Sequence, residues 1–382
     1  MINDAVILFA DEKKGREMSF AAPLYIIEAN EPHAFEAAFQ ACQQAHDDGL
    51  WLAGFLSYEA GYLLEPQLRK SLPEGRKAPL LSFGVFEKPV EAPLAQNDAA
   101  ARIYNFQPQW NLDEYRQNFN KLQSHLRAGD CYQGNLTFPI KAQWEGDPYA
   151  LFLALAKRQQ VGHACYCNFG AASRAPIILS RSPELFFEVD QERWIETHPM
   201  KGTSPRGKTP EEDDYWRDFL KNDPKNQTEN RMIVDLLRND ISLISETGTL
   251  HVPELFAVQR FETVHQMISR VRARLKPDLS LGAIFAALFP CGSITGAPKI
   301  SVMRILQGLE RTPRDIYCGS LGWIAPSGEM RFNVAIRTIS LFDGGQAILN
   351  VGGGVILDST AEEEYAECLL KARYATDHQP LK

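Results

Sequence analysis

The run from residue 197 to 207, with Pro199 and Pro205 bracketing Lys201 and Gly202, constrains this chain more than any other stretch. Pro199 fixes its own φ and removes a ladder donor, and Gly202 admits backbone angles that a side chain forbids. Neither a helix nor a central strand can run through it, so Lys201 is expected on a rigid loop. On its N-terminal side, residues 185–189 and 194–197 are β-rich runs separated by Asp190, Gln191, Glu192 and Arg193, the pattern of a hairpin. A turn of two or four residues sets Glu184 opposite Pro199 and makes Glu184 and Lys201 diagonal neighbours, roughly 7–8 Å apart on one face. A three-residue loop breaks that parity. An acid and an amine are thus expected at the open end of one hairpin.

Around the hairpin, helical and strand patterns mix. Helical spacing runs over 32–45, 112–128, 148–158, 210–220, 299–309 and 361–374, and Thr228 is a candidate N-cap with Glu229 in the first turn of a helix reaching Leu237. Strands are expected at 24–27, 131–138, 175–180, 321–324, 332–341 and 346–351, while 50–58 is apolar and 261–271 and 281–289 are mixed. Residues 88–101 read as a linker or long loop between an N-terminal segment, 1–100, and a catalytic region, 110–375. Mostly antiparallel-looking strands without strict βαβ alternation make the fold class α+β.

At 382 residues the chain calls for two domains or one large composite core. A net charge of −8 argues against nonspecific nucleic-acid binding, which draws on clustered Lys and Arg. No apolar run reaches the roughly 18 residues of a membrane span, and the first residues lack the basic start and apolar core of a signal peptide. The seven cysteines show no paired C-x-x-C spacing, which predicts free buried thiols and a cytoplasmic location.

Several stretches carry possible chemistry. Residues 202–209 match the phosphate-loop pattern G-x-x-x-x-G-K-[ST], but Pro205 lacks one of the N–H groups such a loop aims at phosphate, and the strand before it is a hairpin arm. A nucleotide site is not expected there. Glu364, Glu367 and Lys371 are spaced to share one helix face, which is either a solvated stripe or, with Glu229, a set of oxygen ligands suited to Mg2+. The Gly/Ser/Thr/Pro run 290–299 could hold an anion with backbone N–H groups and hydroxyls, and Gly352, Gly353 and Gly354 would let a ligand approach closely. Arg337, inside apolar 334–339, needs a carboxylate partner: a structural salt bridge or a substrate acid. His265 alone reads as a satisfied histidine.

Ser182-Pro183-Glu184, the core 199–203, and the stretches 229–240, 289–299, 335–338, 352–354 and 364–371 occur in order, and this set resembles the chorismate-utilising enzymes, among them anthranilate, aminodeoxychorismate, isochorismate and salicylate synthases. The resemblance covers 110–375 and implies an anthranilate synthase component I-like α/β sandwich: two sheets, helices outside, the active site between. It implies Mg2+ held by Glu229 and Glu367, with Glu364 assisting through water, and chorismate as substrate. The ion would hold the ring carboxylate, and Arg337, Tyr317, Lys371, Ser293 and the backbone at Gly352 and Gly354 the remaining carboxylate and nearby oxygens, with Gly202 and Thr203 beside them. His265 falls on the family's active-site histidine. Glu184 falls on its general acid, which protonates the departing C4 hydroxyl and needs a carboxyl raised by burial.

Lys201 stands where anthranilate synthases of the family usually carry alanine, and resembles the aminodeoxychorismate synthase component I branch. There a neutral lysine attacks C2 of chorismate and ammonia then adds at C4. The chain has no Gly-x-Cys-x-Gly nucleophile motif of glutamine amidotransferases and no lyase domain after residue 374, so ammonia is expected from a separate glutaminase subunit. The implied product is 4-amino-4-deoxychorismate, one step before 4-aminobenzoate in folate synthesis; anthranilate or isochorismate synthesis is the alternative. Residues 54–59 resemble the family's N-terminal segment. Residues 26–29 stand where anthranilate synthases carry a tryptophan-binding Leu-Leu-Glu-Ser, without its serine.

Overall fold

The computed structural model describes residues 5–90, 97–260 and 264–376. Residues 91–96 of the expected linker and 261–263 of the mixed segment lie outside them. Nine strands position the functional residues: β1 (Gln133–Gly146), β2 (Ile177–Ser182), β3 (Leu185–Val189), β4 (Trp194–Thr197), β5 (Met200–Pro205), β6 (Val264–Arg274), β7 (Met330–Asn333), β8 (Thr338–Phe342) and β9 (Gln346–Val355). Three helices accompany them: α1 (Pro210–Asn222), α2 (Pro224–Ser242) and α3 (Ala361–Lys371).

The strands form two antiparallel sheets. β1, β9, β8 and β2 lie side by side in a nine-stranded sheet that continues through His163–Asn168, Val6–Asp11 and Arg16–Ala21. β5, β6, β4, β3 and β7 belong to a ten-stranded sheet completed by Ser320–Ile324, Trp51–Leu56, Leu81–Phe86 and Tyr25–Ala29, with His251–Arg260 paired to β6. The N-terminal segment therefore supplies strands to both sheets.

Strand alternation sorts side chains into two faces, and the faces explain the layers. In Val6–Asp11, Leu8 and Ala10 join a core with Phe119, Leu122 and Phe152 of the flanking helices Leu112–Ala128 and Pro148–Arg158. Ile7, pointing the other way, joins Phe55, Phe86 and Leu321 of the opposite sheet. Helices thus cover the outside of a sheet-on-sheet sandwich, as the resemblance implied. All seven cysteines are buried and free.

Two crossings between the sheets matter most. The chain leaves the nine-stranded sheet after β2 and enters the ten-stranded one at β3; it returns between β7 and β8. The crossings run side by side: Arg181 N–H donates to Arg337 O at 2.9 Å, and Val334 N–H to Glu184 O at 3.1 Å. The Ser182 hydroxyl donates to Val334 O at 2.6 Å and accepts from Glu184 N–H at 3.2 Å. The expected single strand over 332–341 is therefore two, broken at 334–337. Val334, Ala335 and Ile336 are apolar because they lie at the crossing, packed into the cores of the sandwich.

Behind the crossings a buried ionic knot fastens the N-terminal segment. The Arg314 guanidinium takes both oxygens of Glu310 at 2.9 and 2.7 Å, donates to Ile294 O and Asn135 O, and lies over the Tyr58 ring. Its own N–H donates to Glu59 Oε1 at 2.8 Å. Glu59 is 1% exposed, and burial, followed by the Asp315 charge, pushes its carboxyl far above the ordinary 4.5. The folded chain then keeps a proton that the unfolded chain releases as pH rises through the ordinary carboxylate range. Stability falls with rising pH over that window, by up to about 1.4 kcal/mol per pH unit, until the folded-state carboxyl ionises too. Glu59→Gln keeps the acceptor for Arg314 N–H and has no charge to bury. Urea melts across the neutral range are expected to favour the glutamine variant increasingly with pH; a gap that does not change with pH would overturn this.

Candidate active site

The hairpin exists, but its loop is the three-residue kind. Val189 pairs with Ile195 and Glu188 with Glu196, Asp190 N–H donates to Trp194 O, and Arg193 takes a left-handed φ of 67°. The parity argument that placed Glu184 against Pro199 therefore fails. Glu184 and Lys201 converge for a different reason. β4 and β5 run one after the other along a single edge of β6, with Thr197 opposite Val271 and Met200 opposite Ile268. Lys201 thus sits on a bulged outer strand, not on a free loop, and Pro199 and Pro205 are tolerated because such a strand can spare a ladder donor.

Glu184 stands at the first crossing, 6% exposed, and accepts the Ser293 hydroxyl at 2.8 Å. Burial pushes its carboxyl up to about 7, against the pull of Ser293 and of the Lys201, Lys371 and Arg337 charges. Arg337 stands at the second crossing with a left-handed φ of 50°. Burial draws its guanidinium down, opposed by Tyr374 and Glu184. Among the described residues Arg337 makes no ion pair, so the structural salt bridge considered from the sequence is not what holds it.

Across the gap, the glycines of β9 act as cradles. A Cβ on Gly354 would stand 3.0 Å from both Lys201 Nζ and Gln133 Nε2, and one on Gly353 would stand 2.6 Å from Glu364 Oε2. Gly352 O accepts Lys371 Nζ at 2.9 Å. Larger residues there would expel the amines and the carboxylate from the strand they lean on.

The acids come from two helices. α2 begins earlier than expected: Asp223 caps it and Pro224 occupies its first position, so Thr228 lies inside it, bonded to Pro224 O, and Glu229 is in its second turn. Asp-Pro is the stronger start because the cap accepts a free N–H and proline needs no partner for its own nitrogen. Glu229 lies 3.7 Å from Lys201 Nζ. On α3, Glu367 pairs with Lys371 at 2.7 Å and Glu364 accepts Ser359 Oγ at 2.7 Å. Burial, aided by the Glu367 charge, raises Glu364. Burial also acts upward on Glu367, but Lys371 and Lys201 together hold it below its ordinary range. Among the described residues these carboxylates are not gathered about one point; two lysines lie between them.

Other expected residues fall as follows. Tyr317 is 7% exposed and burial pushes its phenol well up. Gly202 has a φ of 96°, and Thr203 donates to Gln266 Oε1 at 3.1 Å. Ser293 lies on a four-residue helix, Gly292–Thr295, and gives its hydroxyl to Glu184. His265 is fully enclosed with its Nε2 2.9 Å from Asp213 Oδ1, inside a cluster that includes Arg206 and Arg260. The structure ties it to α1 through Asp213. The phosphate-loop lookalike spends its amides on α1: Gly207 N–H goes to Asp213, Lys208 N–H to Glu212, and Thr209 caps the helix.

Sequence reasoning missed Gln133. It is 0% exposed, both amide atoms lack a partner among the described residues, and it shares the Gly354 cradle with Lys201. Its one signal was a lone amide entering a strand.

A buried acid raised toward neutrality, an amine whose charge acts on it, a guanidinium without an ion pair among the described residues and three carboxylates can together bind a dianion, protonate a leaving oxygen and attack carbon. The family model for the chorismate binding enzyme matches residues 4–377. The chain belongs to that family. Aminodeoxychorismate synthase component 1 of Klebsiella aerogenes is 38% identical over 277 residues, covering 72% of this chain and 60% of that relative. A probable chloroplastic aminodeoxychorismate synthase of Oryza sativa subsp. japonica is 41% identical over 265 residues, covering 69% of this chain and 29% of that protein. This member of the family thus spans well under two thirds of the length of these relatives. The crystal structure of anthranilate synthase component I from Streptococcus pneumoniae TIGR4 shares the fold, with a TM-score of 0.79, 24% identity, and coverage of 98% of this chain and 93% of that one. No helix among the described residues is long and apolar enough to cross a membrane.

Proposed function

We propose that this chain aminates chorismate at C4 to give 4-amino-4-deoxychorismate, in the cytoplasm, using ammonia from a glutamine amidotransferase subunit. The observation that carries the reading is the placement of Lys201 between the Gly354 cradle and Glu229, with its charge acting on Glu184. Arg337 and Lys371 hold one substrate carboxylate. Lys201, as the neutral amine, bonds to C2 of chorismate; the ring double bonds shift and the C4 hydroxyl departs as water with the proton of Glu184. Ammonia then bonds to C4, the double bonds shift back, and Lys201 leaves C2.

Glu229, Glu364 and Glu367 fit Mg2+ in donor chemistry, being oxygen ligands only, and Lys201 and Lys371 now offset the same charges. When bound, the ion would neutralise a substrate carboxylate at these acids. The other carboxylate falls to Arg337, Lys371 and the β9 backbone.

Incubation with chorismate, Mg2+ and an ammonium salt, followed by a lyase that releases 4-aminobenzoate, tests the product; anthranilate in its place overturns the assignment. Lys201→Ala is expected to impair product formation at low ammonium, and mass spectrometry of trapped wild-type protein to find the chorismate adduct on Lys201. An adduct elsewhere removes the nucleophile role.

A further inference from the structure

Between Met200 and Thr203 the register of β5 on β6 slips by one residue: Met200 faces Ile268 but Thr203 faces Gln266, leaving Lys201 and Gly202 together against Met267. Such a bulge re-aims a side chain, and because strand alternation has period two, smoothing it out would turn Lys201 toward the other face. Gly202 supplies the positive φ of 96° that the bulge uses.

The two bulge carbonyls each accept a side-chain amide. Asn230 Nδ2 donates to Lys201 O at 3.3 Å, from α2. Gln266 Nε2 donates to Gly202 O at 2.8 Å, from β6. Both amides are themselves fixed: Asn230, 0% exposed, accepts Ser269 Oγ at 2.6 Å, and Gln266 accepts Thr203 Oγ1 at 3.1 Å. Asn226 closes the remaining space, its Oδ1 2.9 Å from where a Cβ on Gly202 would stand.

We propose that Gln266 and Asn230 are positioning residues, clamping the Lys201–Gly202 bulge from strand and helix so that the Lys201 amine points at the Gly354 cradle. The inference rests on the reading of Lys201 as the nucleophile. Neither amide touches the reacting atoms; each acts through the backbone of the bulge. Asn230 follows Glu229 in α2, so one turn of helix sets both the carboxylate facing the amine and the amide holding its backbone.

The test is Gln266→Leu, alone and in the Lys201→Ala background, with kcat and KM for chorismate at the low ammonium concentration where Lys201→Ala is impaired; Gln266→Met serves if the leucine variant does not fold. A misplaced group costs kcat, so Gln266→Leu alone should lower kcat about tenfold or more with KM within about twofold. In the Lys201→Ala background it should cost nothing further, because there is no amine left to aim. An equal loss in both backgrounds, or none in either, overturns the clamp. Acetylation of Lys201 by acetic anhydride, counted against Lys208 in the same sample, reads the clamp without the reaction. A changed ratio in Gln266→Leu supports it and an unchanged one overturns it, whatever Lys201→Ala does to turnover.

Discussion

Replacing Glu184 by glutamine is expected to lower kcat about 10²- to 10⁴-fold, the usual contribution of a positioned general acid. The glutamine keeps the shape and the Ser293 contact and cannot supply a proton. The pH profile separates this from a packing defect. Burial holds the Glu184 carboxyl near 7, so as an acid it is competent when protonated, and kcat/KM should fall as pH rises through about 7. Glu184→Gln should lose that limb together with the rate. Ser293→Ala should move the limb to higher pH, because the hydroxyl favours the charged carboxylate and its loss makes the proton harder to remove. A glutamine variant within tenfold of wild type that retains the limb would sink the assignment.

Replacing Glu229 by glutamine is expected to raise the Mg2+ concentration needed for half-maximal activity about tenfold or more, since divalent affinity follows the number of charged oxygens a site presents. Two effects compete in this variant. The amide weakens the site for the cation, and it also removes the carboxylate 3.7 Å from Lys201. The first reduces the response to Mg2+, whereas the second removes the acid paired with the amine. Mg2+ titration by calorimetry, with no substrate present, isolates the first. Unchanged Mg2+ affinity would leave Glu229 as a partner of Lys201 and nothing more.

How much of this was legible beforehand differs from residue to residue. The helix over 112–128 and the helix over 148–158 have the bounds their periodicity predicts, since an asparagine capping box with Gly129 at the end, and an aspartate cap with Pro148, are local signals. Thr228 misled because two good caps lay five residues apart and the one followed by proline won. Arg337 was singled out correctly as an oddity and placed wrongly within a strand, because a crossing between two sheets has the same apolar composition as a buried strand. His265 falls on the family's active-site histidine; strand alternation turns its ring to Asp213 and gives the neighbouring Gln266 the contact with Gly202.

The sequence by itself determined the mixed class of the fold, the family and the roster of acids and amines, because periodicity, caps and ordered motifs are properties of neighbours along the chain. It did not determine how Lys201 meets Glu184. That depended on a three-residue turn in place of two or four, on β6 pairing with β4 and β5 along one edge, and on a one-residue bulge at Gly202. Each is a choice of register between strands distant in sequence, where a single residue's shift reverses the face a side chain occupies. The same holds for the two paired crossings that carry Glu184 and Arg337. Only the tertiary structure could decide them.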